Sequence, residues 1–353
     1  MKARKPQLER QLAIICALML AQDSSDAQAA VLAMGPPEGQ IVASLASAHH
    51  VILRSLLPLS QRRDSPEWLA AAVEAERARI ANALEHLAAI SQELEAAGCP
   101  VTVIKSLDHW PDLGADIDLY TSESPRVFVE IFKRKFQARV RPPTWGDRLA
   151  NKWNFHLPTL MGPVEVHTGR LGQMGEHTAL ASRFELRAVS RTFGQYVFRV
   201  PAPEEQVIAA ALQRMYRHFY FRVCDLANAA VLILSDAVDY TELRKAAELG
   251  GIWPGVATYL GLVAAFVAQY QDKPLPLPTA VLAISRFGVN RVAPRGRYFK
   301  IPIIPEAAGL YVSQISNAIR RGQLAAAGRL SLLPPLACIA AVAHATTGTR
   351  AIW

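Results

Sequence analysis

The chain has 353 residues, of which 51% are hydrophobic and 19% charged, so it can bury a sizeable core and is not generally disordered. The length suggests two compact units or three. No HExxH, GxSxG or P-loop motif occurs, which argues against the zinc proteases, α/β-hydrolases and P-loop NTPases.

The formal net charge is +8, and it is localised. From Ala280 to Trp353, nine Lys/Arg, Arg350 included, face the single acid Glu306, so this segment alone supplies the excess. Within it, Arg286, Arg291, Arg295, Arg297 and Lys300 interleave with Phe287, Tyr298 and Phe299. Such a cluster suits a polyphosphate, RNA or an acidic lipid, and a solvated basic face is the plain alternative. Cys16, Cys99, Cys224 and Cys338 are too scattered for a zinc site or a secreted disulfide framework and read as reduced, buried thiols.

In chain order, Lys2, Arg4, Lys5 and Arg10 precede an apolar run in the manner of a signal peptide. Asp23 and Asp26 after the run, and Leu8, Leu12, Ile15 and Met19 on one helical face, favour a helix docked on a core. Residues 23–40 read as a loop and 41–57 as a helix, and Ser65-Pro66 starts a long helix that Gly98 ends. The period then changes. Strands are expected at 101–104, 116–121 and 137–141, with a helix from Ser124-Pro125 to Lys135. A hairpin follows over 153–160 and 164–168, then a strand at 195–200. Helices are expected at 203–220, 222–234, 241–249, 255–269, 305–327 and 330–343. The apolar stretches at 256–268 and 330–343 are too short to span a bilayer, and Pro334-Pro335 is expected to break the second. A soluble cytoplasmic protein without a transmembrane segment is the working expectation.

The chemistry concentrates in Lys105-Ser106 and Asp116-Ile117-Asp118. On a strand, Asp116 and Asp118 project from one face, where two carboxylates call for a proton or a divalent cation between them. A further strand, Val164-Glu165-Val166-His167, puts Glu165 and His167 on one face. Lys152, Asn154 and His156 lie on the strand opposite and are expected to line the cleft. His218, Arg222 and Asp225, spaced four and three apart, share one face if helical, with an Arg222–Asp225 ion pair as the structural reading.

Val103-Ile104-Lys105, Ser106, Asp116-Ile117-Asp118, Glu165-Val166-His167, and His218 with Arg222 and Asp225 together resemble the nucleotidyltransferase superfamily. That superfamily includes DNA polymerase beta and the minimal nucleotidyltransferases, and the run is most similar to a bacterial branch of uncharacterised nucleotidyltransferases. The similarity covers about residues 41–234. Lys105 stands at the superfamily's glycine, and Asp112-Leu113-Gly114-Ala115 stands where an arginine is expected.

The resemblance implies an α+β fold, a small mixed nucleotidyltransferase-like sheet core flanked by helical regions. The expected divisions are 1–98, helical; 99–202, the α/β core; and 203–353, helical with the basic segment 286–300. It also implies transfer of a nucleotidyl group from an NTP, ATP foremost, to an acceptor hydroxyl on a small molecule, a peptide or protein, or an RNA end. Asp116, Asp118 and Glu165 would hold Mg2+ or Mn2+ and carry catalysis. Lys105, Ser106, Arg222 and Asp225 would bind the nucleotide, with His167, His218, Lys152, Asn154 and His156 toward the acceptor. Two alternatives stand beside it: a metal-dependent glycosyltransferase that uses Asp116-Ile117-Asp118, and an inactive scaffold that binds nucleotide, a protein partner or nucleic acid.

Overall fold

A computed structural model describes the backbone of residues 5–347 and the side chains of residues 6–335. The expectations placed on the side chains of Lys2, Arg4, Lys5, Cys338 and Arg350 therefore lie outside the described residues.

Five helices come first: α1 (Lys5–Leu20), α2 (Ser25–Leu32), α3 (Pro36–Ala48), α4 (Ile52–Ser60) and the long α5 (Glu67–Ala96). The loop expected at 23–40 is instead helix α2 plus the start of α3. Pro36 and Pro37 occupy the first positions of α3, where a missing N–H costs nothing, so they open the helix rather than prevent it. The helix expected at 41–57 is split between α3 and α4, with His50 at φ 52° in the break.

The central sheet is built from β1 (Thr102–Val103), β2 (Ile117–Thr121), β3 (Arg139–Val140), β4 (Lys152–His156) and β5 (Val164–Thr168), in the order β1-β2-β5-β4-β3. Helix α6 (Pro125–Phe136) follows β2, and the short α7 (Trp145–Ala150) precedes β4. Strands β2 and β5 are parallel and the other pairings antiparallel, and Asp118 lies opposite Glu165. Helix α8 (Thr178–Leu186) and the hairpin β6 (Val189–Phe193) with β7 (Tyr196–Val200) come next.

The chain then returns to helices: α9 (Pro203–Ala211), a π-helical stretch Leu212–His218, α10 (Val223–Leu234), α11 (Tyr240–Leu249), α12 (Trp253–Val267) and the one-turn α13 (Thr279–Leu282). Strand β8 (Tyr220–Phe221) pairs with β10 (Tyr298–Lys300), which pairs with β9 (Ala293–Arg295). Helices α14 (Ala308–Arg320) and α15 (Leu324–Thr347) close the described chain. Pro334 and Pro335 lie inside α15, so the expected break is not there.

The fold is α+β, a small mixed sheet flanked by helical regions on both sides in sequence. One apolar cluster runs from Leu12 in α1 through Leu119 and Val166 in the sheet to Leu310 in α14, so the three regions share a core. Cys16, Cys99 and Cys224 are buried and free. No helix among the described residues is long and apolar enough to cross a membrane.

Candidate functional site

The site forms where β1 ends. Ser106 N–H donates to Ile104 C=O at 2.7 Å, with Lys105 between them at φ 65° and ψ −47°. This is the rarer, positive-φ γ-turn, a conformation that an L side chain adopts under strain. It is also the position where the resembled superfamily carries glycine. The Ser106 hydroxyl donates to Asp116 C=O at 3.0 Å and accepts Asp118 N–H at 2.8 Å, and its side chain is buried. The resemblance assigns Ser106 to nucleotide binding; here its hydroxyl is engaged within the protein. It ties the turn to β2.

Backbone contacts hold the approach to β2 from both sides. Asp112 accepts the N–H groups of Leu53 and Arg54 and so caps the first turn of α4. Arg79, from α5, donates to Leu113 C=O and Gly114 C=O at 3.0 Å each. On the other side Ile117 N–H donates to Pro163 C=O in the β4–β5 turn.

Asp118, Glu165 and His167 each offer a ligand atom, and these atoms lie within 4.8 Å of one another. Asp116, one residue before β2, is not part of this group. Its carboxyl is pushed up to about 6 by burial first, and then by the charges of Asp118 and Glu165. His167 stands in the cluster where the resemblance implies Asp116.

Lysines already neutralise the cluster. The Lys105 ammonium meets Asp118 Oδ1, and Lys152 Nζ bridges Glu165 Oε1 at 3.1 Å and Asp147 Oδ1 at 3.2 Å. Burial pushes the Asp118 carboxyl upward, but Lys105 and His167 outweigh it and hold it below the usual carboxylate range. His167 Nε2 lies 3.3 Å from Asp118 Oδ1 and 3.7 Å from Glu165 Oε2. Burial, then Lys105, lowers its pKa, so the ring is neutral, with Nε2–H directed to the carboxylates and Nδ1 unprotonated.

Asn154 is buried opposite Glu165. His156 is exposed at the far end of β4, opposite Arg139, and does not join the cluster.

His218, Arg222 and Asp225 do not share a helical face. Phe219, at φ 54°, ends the π-helical stretch, and β8 intervenes before α10. Nor do Arg222 and Asp225 form the expected ion pair. Asp225 pairs with the buried Arg214 Nε at 2.8 Å and accepts Arg222 N–H, while the Arg222 guanidinium meets His50 Nε2 at 2.6 Å. Asp225 is thus structural. Arg214 was missed, although a charge among the buried Leu212, Met215 and Tyr216 requires a partner and was a readable signal.

The basic segment divides. Arg286, Arg295 and Arg297 are exposed, and Arg291 pairs with Glu306 at 2.5 Å. Lys300, half-buried, instead lies against an aromatic pair, where β8–β10 pairing stacks Tyr298 on Tyr220 with ring centroids 4.3 Å apart. Lys300 Nζ lies 4.6 Å from the Tyr220 centroid, with the Arg214 and Arg222 guanidinium carbons at 5.4 and 5.9 Å. His218 packs beside Tyr220, and burial first, then Arg217 and other cations including Lys105, pushes its pKa down to about 3. Cations and His218 thus gather at one aromatic pair.

In comparisons with known proteins, the chain matches no family model and no curated protein.

Proposed function

We propose that the chain is a metal-dependent nucleotidyltransferase-like enzyme that moves a nucleotidyl group from an NTP to an acceptor hydroxyl. The observation that carries the reading is the parallel register of Asp118 and Glu165, with His167 on the same face, directly beside the Lys105–Ser106 turn. Two carboxylates and an imidazole within one coordination radius fit a divalent cation, and the imidazole suits Mn2+ better than Mg2+. Such an ion would supply charge neutralisation for the triphosphate and its pyrophosphate leaving group.

The chain's own residues provide the rest. Lys105, released from Asp118, meets a phosphate oxygen. Lys300 and the Tyr220–Tyr298 stack, beside His218, add cationic and aromatic groups that suit an anionic nucleotide. His167 and Lys152 orient Asp118 and Glu165.

The test is to offer labelled ATP, GTP, CTP and UTP with Mg2+ or Mn2+ and to follow pyrophosphate release and the mass of protein and co-purified molecules. Asp118→Asn and Glu165→Gln should each lower release by about a hundredfold or more. Undiminished release in both variants would overturn the assignment. The pairing of both carboxylates with lysines favours a second reading, an inactive nucleotide-binding scaffold. NTP binding without any Mn2+ uptake selects it. Consumption of UDP- or GDP-sugars without pyrophosphate selects a glycosyltransferase.

A further inference from the structure

Behind the carboxylate cluster lies a cavity of about 50 Å³ that continues into a solvent-open cleft and reaches from Lys105 and His167 to α14 and α15. Its walls are largely apolar, with Leu171, Phe184 and Leu212 among them. The two tyrosines in the wall have their hydroxyls engaged elsewhere: Tyr216 donates to Ile252 C=O and Tyr311 to Leu330 C=O. They present ring surface to the cavity.

Three polar groups in this wall lack partners. Gln314 is 1% exposed; its Nε2 meets His177 Nε2 at 3.1 Å, and its Oε1 has no hydrogen-bond partner among the described residues. His167 is buried, and its Nδ1 has none either. Arg217 is half-buried and makes no hydrogen bond or ion pair among the described residues. Buried polar atoms are almost always satisfied, so an unpartnered amide end and ring nitrogen in one cavity mark the place of a ligand.

We infer that this cavity is a subsite for a small, mainly apolar molecule that carries a hydroxyl for Gln314 or His167 and an anionic group for Arg217. A hydroxyl both donates and accepts, so it satisfies the free end of the Gln314 amide in either orientation. A carboxylate is the matching partner for an unpaired guanidinium. Because the cavity abuts Asp118 through Lys105 and His167, its occupant is the acceptor. That identification rests on the transferase reading, whereas the binding itself does not.

The probe is phloretate, a phenol bearing a propanoate, titrated into the full chain without metal or nucleotide. Hydrocinnamate, which lacks the hydroxyl, and tyramine, with an ammonium in place of the carboxylate, are the comparators. Phloretate should bind about tenfold more tightly than either. Gln314→Leu should erase its advantage over hydrocinnamate, and Arg217→Met its advantage over tyramine. Thermal melts report whether each variant folds, and the half-buried Arg217 keeps the test intact if Gln314→Leu does not. Equal affinities for all three probes, affinities unmoved by both variants, or no binding at all would overturn the subsite. A chain that binds phloretate yet releases no pyrophosphate leaves the subsite standing and removes only the transferase reading. Pyrophosphate release with no phloretate binding does the reverse.

Discussion

Lys105 combines two costs that usually exclude each other, a strained backbone and a partly buried charge. A positive-φ γ-turn costs on the order of 1–3 kcal/mol for a residue with a Cβ, and glycine would relieve it. The ammonium on Asp118 explains why lysine stands there. Lys105→Gly should therefore be more stable than Lys105→Ala by about 1 kcal/mol. Without nucleotide, both should bind Mn2+ several-fold more tightly than the parent, because the competing cation is gone. Denaturant titration and electron paramagnetic resonance of Mn2+ measure the two effects, and weaker Mn2+ binding in both variants would contradict the competition. The sequence displays Asp118, Glu165 and His167 plainly, since period-two alternation puts Glu165 and His167 on one face. It also assigns Asp116, which lies outside the 4.8 Å group: same-face logic needs a strand at that residue, and the ladder begins one residue later, at Ile117.

The elements that are legible have strong local signals: Ser65-Pro66 ahead of α5 and Gly98 after it, Ser124-Pro125 at the start of α6, the turn between β4 and β5. Helix α2 was not legible, because its mean character is weak and its boundaries carry Asp, Ser, Gly and Pro, all loop-favouring residues. Strand β6 was missed because four of its five residues are exposed, which leaves no alternation to read. The bend at Phe219 that breaks the expected His218–Asp225 face is a tertiary choice, made by pairing Tyr220 and Phe221 with β10. The β4–β5 turn has a function beyond reversal. A Cβ on Gly162 would lie 2.4 Å from Ala115 C=O, so this glycine lets the turn press against the run-up to Asp116. Gly162→Ala should destabilise the chain by about 1–3 kcal/mol and lower pyrophosphate release further than the loss of folded protein accounts for. Met161→Ala, at a side chain 81% exposed, is the control and should change neither.

Across the whole molecule, a polar seam joins the amino-terminal helices to α10. His49 accepts Val223 N–H and donates to Arg297 C=O, His50 stacks on His109 with centroids 5.2 Å apart, and Arg54 reaches Asn228. Burial is the main reason that His49 falls to about 4 and His50 to about 2, with His109 also well below the usual histidine range. A histidine with a depressed folded pKa stabilises the fold above its unfolded value near 6.5 and withdraws that stability as pH falls toward the folded value. Stability should therefore decline from about pH 6.5 downward, His49 alone accounting for up to about 3 kcal/mol by pH 4. Melting temperature against pH checks this, and a flat profile between pH 6.5 and 4.5 would refute it. None of this seam was legible, because it is built from residues that contacts between distant segments bring together.

The two lysines at the acidic cluster bear on how the chain reaches its native state. Because Lys105 and Lys152 balance Asp118 and Glu165 from within, the polypeptide does not depend on an external counter-charge to finish folding. Chelation by EDTA should thus leave the melting temperature unchanged, in contrast to proteins whose structure collapses when a structural ion is stripped away. On the proposed reading, loading with metal would then be an event of the working cycle, separable from biogenesis.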